Sequence, residues 1–228
     1  MSATTMSHRE RVLAALNHEQ PDRVPIDFGG SGASTIYYTA YDQLKKHLGV
    51  DEVGPAQSSH LSHLRNQNRT VIPIDDAILE RFDIDTRCLL LGGYEGGGHD
   101  IDEDAFIDEW GTTWTKTGTH CYMNTDGPFY GRAADIADLE AHEWPDPDNP
   151  GLYRGIVDRA QACRDDGDYA IVLNMPAGII HQCQFVRGYG EWLMDLYRHP
   201  DYAGRMMDII ADHWIRVSTN VLELVGND

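Results

Sequence analysis

Lysine is almost missing from this chain. It occurs only at Lys45, Lys46 and Lys116, and 37 acidic residues face 18 basic ones for a formal charge of −19. A polyanion such as nucleic acid, or an anionic membrane surface, would be repelled, so neither is expected as a partner. Aspartate far outnumbers glutamate, a compositional bias from which no function is read. Cysteine is also sparse. Cys88, Cys121, Cys163 and Cys183 form no CxxC pair and no small secreted framework, which points to free thiols in a reduced, cytoplasmic setting. No apolar run is long enough to span a bilayer, and no signal peptide precedes the first helix. There is no internal repeat and no low-complexity tract. What is present suits a folded domain: 228 residues, 41% of them hydrophobic, enough for a sizeable core in a single domain over 1–228.

The first helix has a capping box in Ser7 and Glu10, with Val12, Leu13 and Leu16 as its apolar face. Pro21 ends that region, and Val24–Phe28 read as a short strand running into "GGSGAST". "STIYYTAYDQLKKHLG" reads as a second helix stopped by Gly49. A polar connection follows, then a short helix at Asp76–Phe82 and a buried strand in "CLLLGG". The stretch from Tyr94 to Met123 reads as a loop followed by a hairpin. Asn149 and Pro150 mark the cap and first residue of a helix running to Gly167. "YAIVLN" is a further buried strand. A short helix after it carries Trp192, Leu193 and Leu196 as core. A long one follows, with Met206, Ile209, Ile210, Trp214, Val217, Val221 and Leu224 inward. Apolar strands separated by helices predict a parallel sheet covered on both faces. An open doubly wound sheet and part of a (β/α)8 barrel both satisfy this order. Only three or four βα units can be counted before "VGND", so a barrel is expected to be truncated to its first half.

Four stretches, "RERVLAALNHEQPDRVPIDFGG", "DEWGTTWTK", "DIADLEAHEWPDP" and "FVRGYGEWLMDLYRHPDYAGRMMDII", occur in an order that resembles the uroporphyrinogen decarboxylase superfamily, and in particular its methyltransferase-like branch. The resemblance implies an α/β fold of the (β/α)8 TIM-barrel type, with the site at the C-terminal ends of the strands. It also implies an enzyme that moves methyl groups between a corrinoid protein and a thiol or folate acceptor, as in O-demethylase systems. The chain departs from the decarboxylase branch. Decarboxylases follow their first strand with an arginine that grips porphyrinogen carboxylates by bidentate pairing. Here that position reads "DFGGSGAST". The second strand ends "LLLGG" in place of an aspartate, and a tyrosine of the third strand–helix loop is replaced around Gln184. A decarboxylase or related tetrapyrrole lyase, and a non-catalytic fragment that associates through open barrel edges, remain the alternatives. Thiol-activating relatives hold zinc through a His-x-Cys pair and a later cysteine, positions that would lie beyond Asp228.

Several local patterns can be set aside on spacing. "HQC", His181 to Cys183, has no third metal ligand and runs toward helix. Asp100, Asp102 and Asp104 imitate a calcium loop, but Ala105 and Gly111 stand where glycine and a bidentate glutamate are needed. Gly29–Gly32 has neither the GxGxxG spacing nor the P-loop lysine. Arg187 is expected to be a structural anchor. For the candidate site this leaves Asp27, Gly29 and Gly30 in the loop after the first strand, and Asn174, His181 and Gln184 near the end of a later one. These would line a barrel mouth that binds substrate or corrinoid, with no metal ligand and no assigned catalyst.

Overall fold

The computed structural model describes residues 5–50, 74–117, 121–175 and 178–226. They form two compact units. Residues 5–50, 74–92 and 154–175 make the first, and 93–117, 121–153 and 178–226 the second. The fold is mixed α/β, with helices and small sheets and, among the described residues, no closed barrel.

The first unit begins with α1 (His8–Leu16), whose capping box forms as the sequence predicts: Ser7 Oγ accepts from Glu10 N, and Glu10 returns the bond to Ser7 N. Its inner face differs from the expected one. Arg11 and Ala14 are buried while Leu13 and Leu16 are exposed, because the neighbour of this helix is a carboxylate cluster rather than an apolar core. Val24–Phe28 does not form a regular strand. Pro25 offers no N–H, and Ile26 N donates to the side chain of Asp85 at 2.7 Å rather than to a backbone ladder. One backbone bond remains, from Asp85 N to Ile26 O at 2.9 Å.

Helix α2 (Tyr38–Leu48) starts later than predicted and ends at Gly49 in the left-handed conformation. Tyr41 packs with Ile74, Ile78, Leu79 and Ile84 around α3 (Asp76–Arg81), and Phe28, Ile36, Leu44 and Leu48 lie against this cluster. Each such apolar side chain is worth about 1.5–3 kcal/mol of burial. The polar connection expected after Gly49 falls largely on 51–73, outside the described residues. Strand β1 (Thr86–Leu90) pairs in parallel with a strand near the end of this unit, Ala170–Asn174, with Thr86 opposite Ala170 and Leu90 opposite Asn174. A parallel pair requires a long crossover, and the intervening chain supplies it.

In the second unit the expected loop and hairpin make a four-stranded antiparallel meander: β2 (His99–Asp100), β3 (Ala105–Ile107), β4 (Thr113–Thr117) and β5 (Cys121–Asp126), in that order. The acidic loop does not gather its carboxylates: Asp100 lies in β2, Asp102 caps Asp104 N, and Asp104 pairs with Lys116 at 2.6 Å. After α4 (Ile136–Ala141), the single helix expected from Pro150 to Gly167 is broken. Helix α5 (Pro150–Tyr153) stops, and α6 (Ile156–Asp165), which belongs to the first unit, begins after Gly155 at φ 68°. Strand β6 (Ala170–Asn174) follows as predicted. The second unit resumes with α7 (Ile179–Arg187), α8 (Tyr189–Arg198) and the 26-residue α9 (Pro200–Val225). On α9 Met206, Ile210, Trp214, Val217 and Val221 are buried as expected, and Leu224 is exposed. On α8 only Trp192 and Asp195 are buried. Leu193 and Leu196 lie outside, because the inward face is taken by an ion pair rather than by leucines. No described helix is long and apolar enough to cross a membrane.

Candidate functional site

The loop after Ile26 is the best-defined candidate. Asp27 Oδ1 accepts from Gly30 N at 3.1 Å and from Thr86 Oγ1 at 2.5 Å, which closes a tight turn and pins it to the start of β1. Gly29 sits at φ 80° with its α-carbon against Ile74, and Gly30 packs on the Asp27 carboxylate, so a side chain at either position would collide. Further along, Gly29 N donates to Ser34 O and Ser31 N to Ser34 Oγ. Gly32 N reaches Asn174 Oδ1 at 3.3 Å, Ala33 N donates to Ser31 Oγ and Ser34 N to Ser31 O. Every N–H from Gly29 to Ser34 is thus spent inside the first unit. A phosphate cradle needs those donors turned outward, and this loop turns them inward.

Four of the six predicted residues are therefore brought together. Asp27, Gly29 and Gly30 share one turn, and Asn174, at the C-terminal end of β6, holds the same loop two residues on. Asp27 is exposed, and among the described residues its Oδ2 accepts no hydrogen bond, so one carboxylate oxygen is presented to solvent. The chemistry on offer is orientation of a cation or hydroxyl, or acceptance of a proton. Among the described residues no guanidinium bonds to the loop. His181 and Gln184 lie in the second unit on α7. His181 is exposed, with its ring 6.3 Å from that of Phe185, and Gln184 is half-buried, with its backbone carbonyl taking the N–H of Gly188 at 2.9 Å. Cys183 beside them is buried, and burial pushes its thiol up to about 12, which removes it as a nucleophile near neutral pH. Among the described residues no group of three or more His, Cys, Asp or Glu side chains could hold a metal ion.

Three polar clusters were not visible as sites in the sequence, although each has members in a stretch that carries the family resemblance. Asp85 has no solvent exposure. It accepts from Arg11 at 2.5 Å, from Arg23 at 2.7 and 3.0 Å, from His8 at 2.7 Å and from Ile26 N. Burial would raise its pKa, but these donors outweigh that and hold it below the ordinary carboxylate value. Arg11 also forks onto Asp22 at 2.6 and 2.9 Å and holds that carboxyl well below its usual range. In the second unit, buried Asp108 accepts from Trp110 N, Thr112 N and Trp114 Nε1 at 2.7–2.9 Å, while burial pushes its carboxyl up to about 7. Arg187 meets the expectation of an anchor: buried, it donates to Asp195 at 2.6 Å and to the carbonyls of Phe129 and Arg132. For Asp85 the missed signals were an acid and arginines dozens of residues apart, which no local pattern joins; Asp108 meets its donors within six residues and Arg187 meets Asp195 eight residues on. Compared with known family models, curated proteins and solved structures, the chain matches none of them.

Proposed function

We propose that this chain has a fold of the uroporphyrinogen decarboxylase-type (β/α)8 barrel kind, and that it works as a corrinoid-linked methyltransferase. The barrel reading is supported by parallel progression in the first unit. Ile26 bonds to Asp85 and Asp27 to Thr86, so the first segment advances beside β1 just as β1 advances beside β6. That is the sequential neighbour order of a barrel's first strands. The observation that carries the functional reading is the loop itself. It has no arginine to clamp porphyrinogen carboxylates, its N–H groups face inward, Gly29 and Gly30 are buried where a side chain would collide, and it presents one carboxylate oxygen of Asp27.

In this reading a corrinoid protein is the partner and its methylcobamide supplies the methyl group, while a thiol or folate is the acceptor. The part of this chain is to bind and orient. The buried Gly29–Gly30 turn sets the position of Asp27, Asp27 Oδ2 fixes a donor on the approaching group, and Asn174 keeps the loop in place. Zinc activation of a thiol would need ligands that the described residues do not assemble, so no step is routed through zinc. The test is methyl transfer from methylcobalamin to a thiol or tetrahydrofolate, followed by the loss of cobalt–carbon absorbance. The assay uses the chain and any longer reading frame that carries it. Transfer abolished by Asp27→Asn supports the reading; uroporphyrinogen turnover without any methyl transfer overturns it.

A further inference from the structure

Apart from the loop, the first unit contains a cavity of about 410 Å³ between α3 and α6, beside β1. Its walls include Phe28, Ile74 and Leu79, and the Cys163 thiol lies in it. Two opposite charges line it from the two helices: Asp76 at the start of α3, and Arg159 on α6. Arg87 and Asp166 also line it, but they satisfy each other at 2.5 Å. Among the described residues Arg159 has no such partner: its guanidinium donates to backbone carbonyls, Leu90 O at 3.0 Å and Arg154 O at 2.9 Å, and the adjacent Asp158 attracts it at a distance. Among the described residues Asp76 likewise has no cation within 4.0 Å. Cys163 lines the same cleft as both charges, and burial holds its thiol above the ordinary value.

The half-buried Arg159 guanidinium, without an anion among the described residues, carries a desolvation cost that a ligand carboxylate would offset, and the exposed Asp76 carboxylate is open to a ligand ammonium. A purely anionic ligand would gain at Arg159 and be repelled by Asp76, and a cation the reverse. The apolar wall between them suits a short hydrocarbon chain, and the volume is that of a small-molecule site. We propose that this cleft binds a small zwitterion, an ammonium and a carboxylate joined by a short apolar chain, with the carboxylate on Arg159, the ammonium on Asp76 and the chain over Phe28, Leu79 and Cys163. This cleft borders the Asp27 loop through Phe28 and Gly29, but its two charges lie on α3 and α6, and the proposal does not rest on the methyltransferase reading.

The test is calorimetry on the full chain with two isomeric probes, 6-aminohexanoate and norleucine, against the single-ended analogues hexanoate and hexylamine. Alkylation of Cys163 is followed in parallel. At least one zwitterion is expected to bind and slow Cys163 alkylation, with each analogue about tenfold weaker, the size of one charge-assisted hydrogen bond. Arg159→Gln and Asp76→Asn should each weaken zwitterion binding about tenfold. Because Arg159 also braces Leu90 O, Ala162→Leu serves as an independent variant that fills the cavity, leaves both charges in place and should abolish binding. Failure of both zwitterions to bind, hexanoate or hexylamine binding as tightly as they do, or binding that survives Ala162→Leu would each overturn the proposal.

Discussion

Replacing Asp85 with asparagine tests whether the first unit is held by one buried acid. The carboxylate accepts from two arginines, a histidine and a backbone N–H, and its residue has no exposed surface. In Asp85→Asn an amide NH₂ would face donors, and Arg11 and Arg23 would keep only the more exposed Asp22 and Asp83. Breaking a buried ion pair by removing one partner costs about 3–5 kcal/mol. Because His8 and Arg23 are partly open to solvent, the lower end applies, about 3 kcal/mol. In urea that loss lowers the midpoint of the first unit by about 1–3 M. The pH dependence has a definite sign. Asp85 is held below its ordinary value, so its contribution is complete above the unfolded pKa near 4 and disappears as pH falls through and below it. The gap between wild type and Asp85→Asn should therefore be largest near neutral pH and close as the solution is acidified. Urea melts followed by circular dichroism at neutral and acidic pH measure this gap. A neutral-pH gap below about 1 kcal/mol, or a gap that stays constant on acidification, refutes the argument.

Asp108→Asn should cost about 2 kcal/mol, since an amide must turn an NH₂ toward one of three N–H donors. Trp110 and Trp114 make tryptophan fluorescence the natural probe of that melt. Arg187→Met leaves Asp195 buried and unpaired and should cost about 3–5 kcal/mol, whereas the double change Arg187→Met with Asp195→Leu should recover most of it; a double-mutant cycle by thermal unfolding reads the coupling. Cys88 and Cys183, both pushed by burial up to about 12, should resist iodoacetamide at mildly alkaline pH in the native chain and react once denaturant is added. Mass spectrometry of the alkylated peptides checks this.

The elements legible in the sequence were those whose signals are local. The Ser7–Glu10 box, the Gly49 stop, the "YAIVLN" strand and most of the inner face of α9 all depend on residues within a turn or two of each other. What could not be read depends on contacts distant in sequence. Val24–Phe28 alternates well enough for a strand, but its ladder partner is replaced by the Asp85 side chain, 59 residues away. Leu193 and Leu196 look like core until Arg187 and Asp195 claim the inner face of α8. The candidate site divides in the same way. Asp27 and the glycines were recognisable from a loop after an apolar run, whereas Thr86 and Ser34, which fix that loop, carry no sequence mark of the role.

The location of these ties also separates what the family resemblance can support from what it cannot. The stretches that carry it contain Arg11, Asp22, Arg23, Asp108, Trp114, Arg187 and Asp195, the groups that the structure uses to lock helices and loops in place. A buried ion pair or a carboxylate shared by three donors costs several kcal/mol to break, so such residues specify a scaffold whatever reaction it hosts. The outward-facing group is Asp27 Oδ2, beside two buried glycines, and the part of that loop beyond Gly30 lies outside the stretches that carry the resemblance. The resemblance therefore argues for a shared barrel more directly than for a shared reaction. It also makes Asp27→Asn the more telling variant. A change at Asp85 or Arg187 reduces activity through unfolding in any enzyme, whereas Asp27→Asn keeps the Oδ1 acceptor for Gly30 and Thr86 and removes only the charge. Methyl transfer lost at unchanged stability would then assign chemistry to the loop and not to the frame.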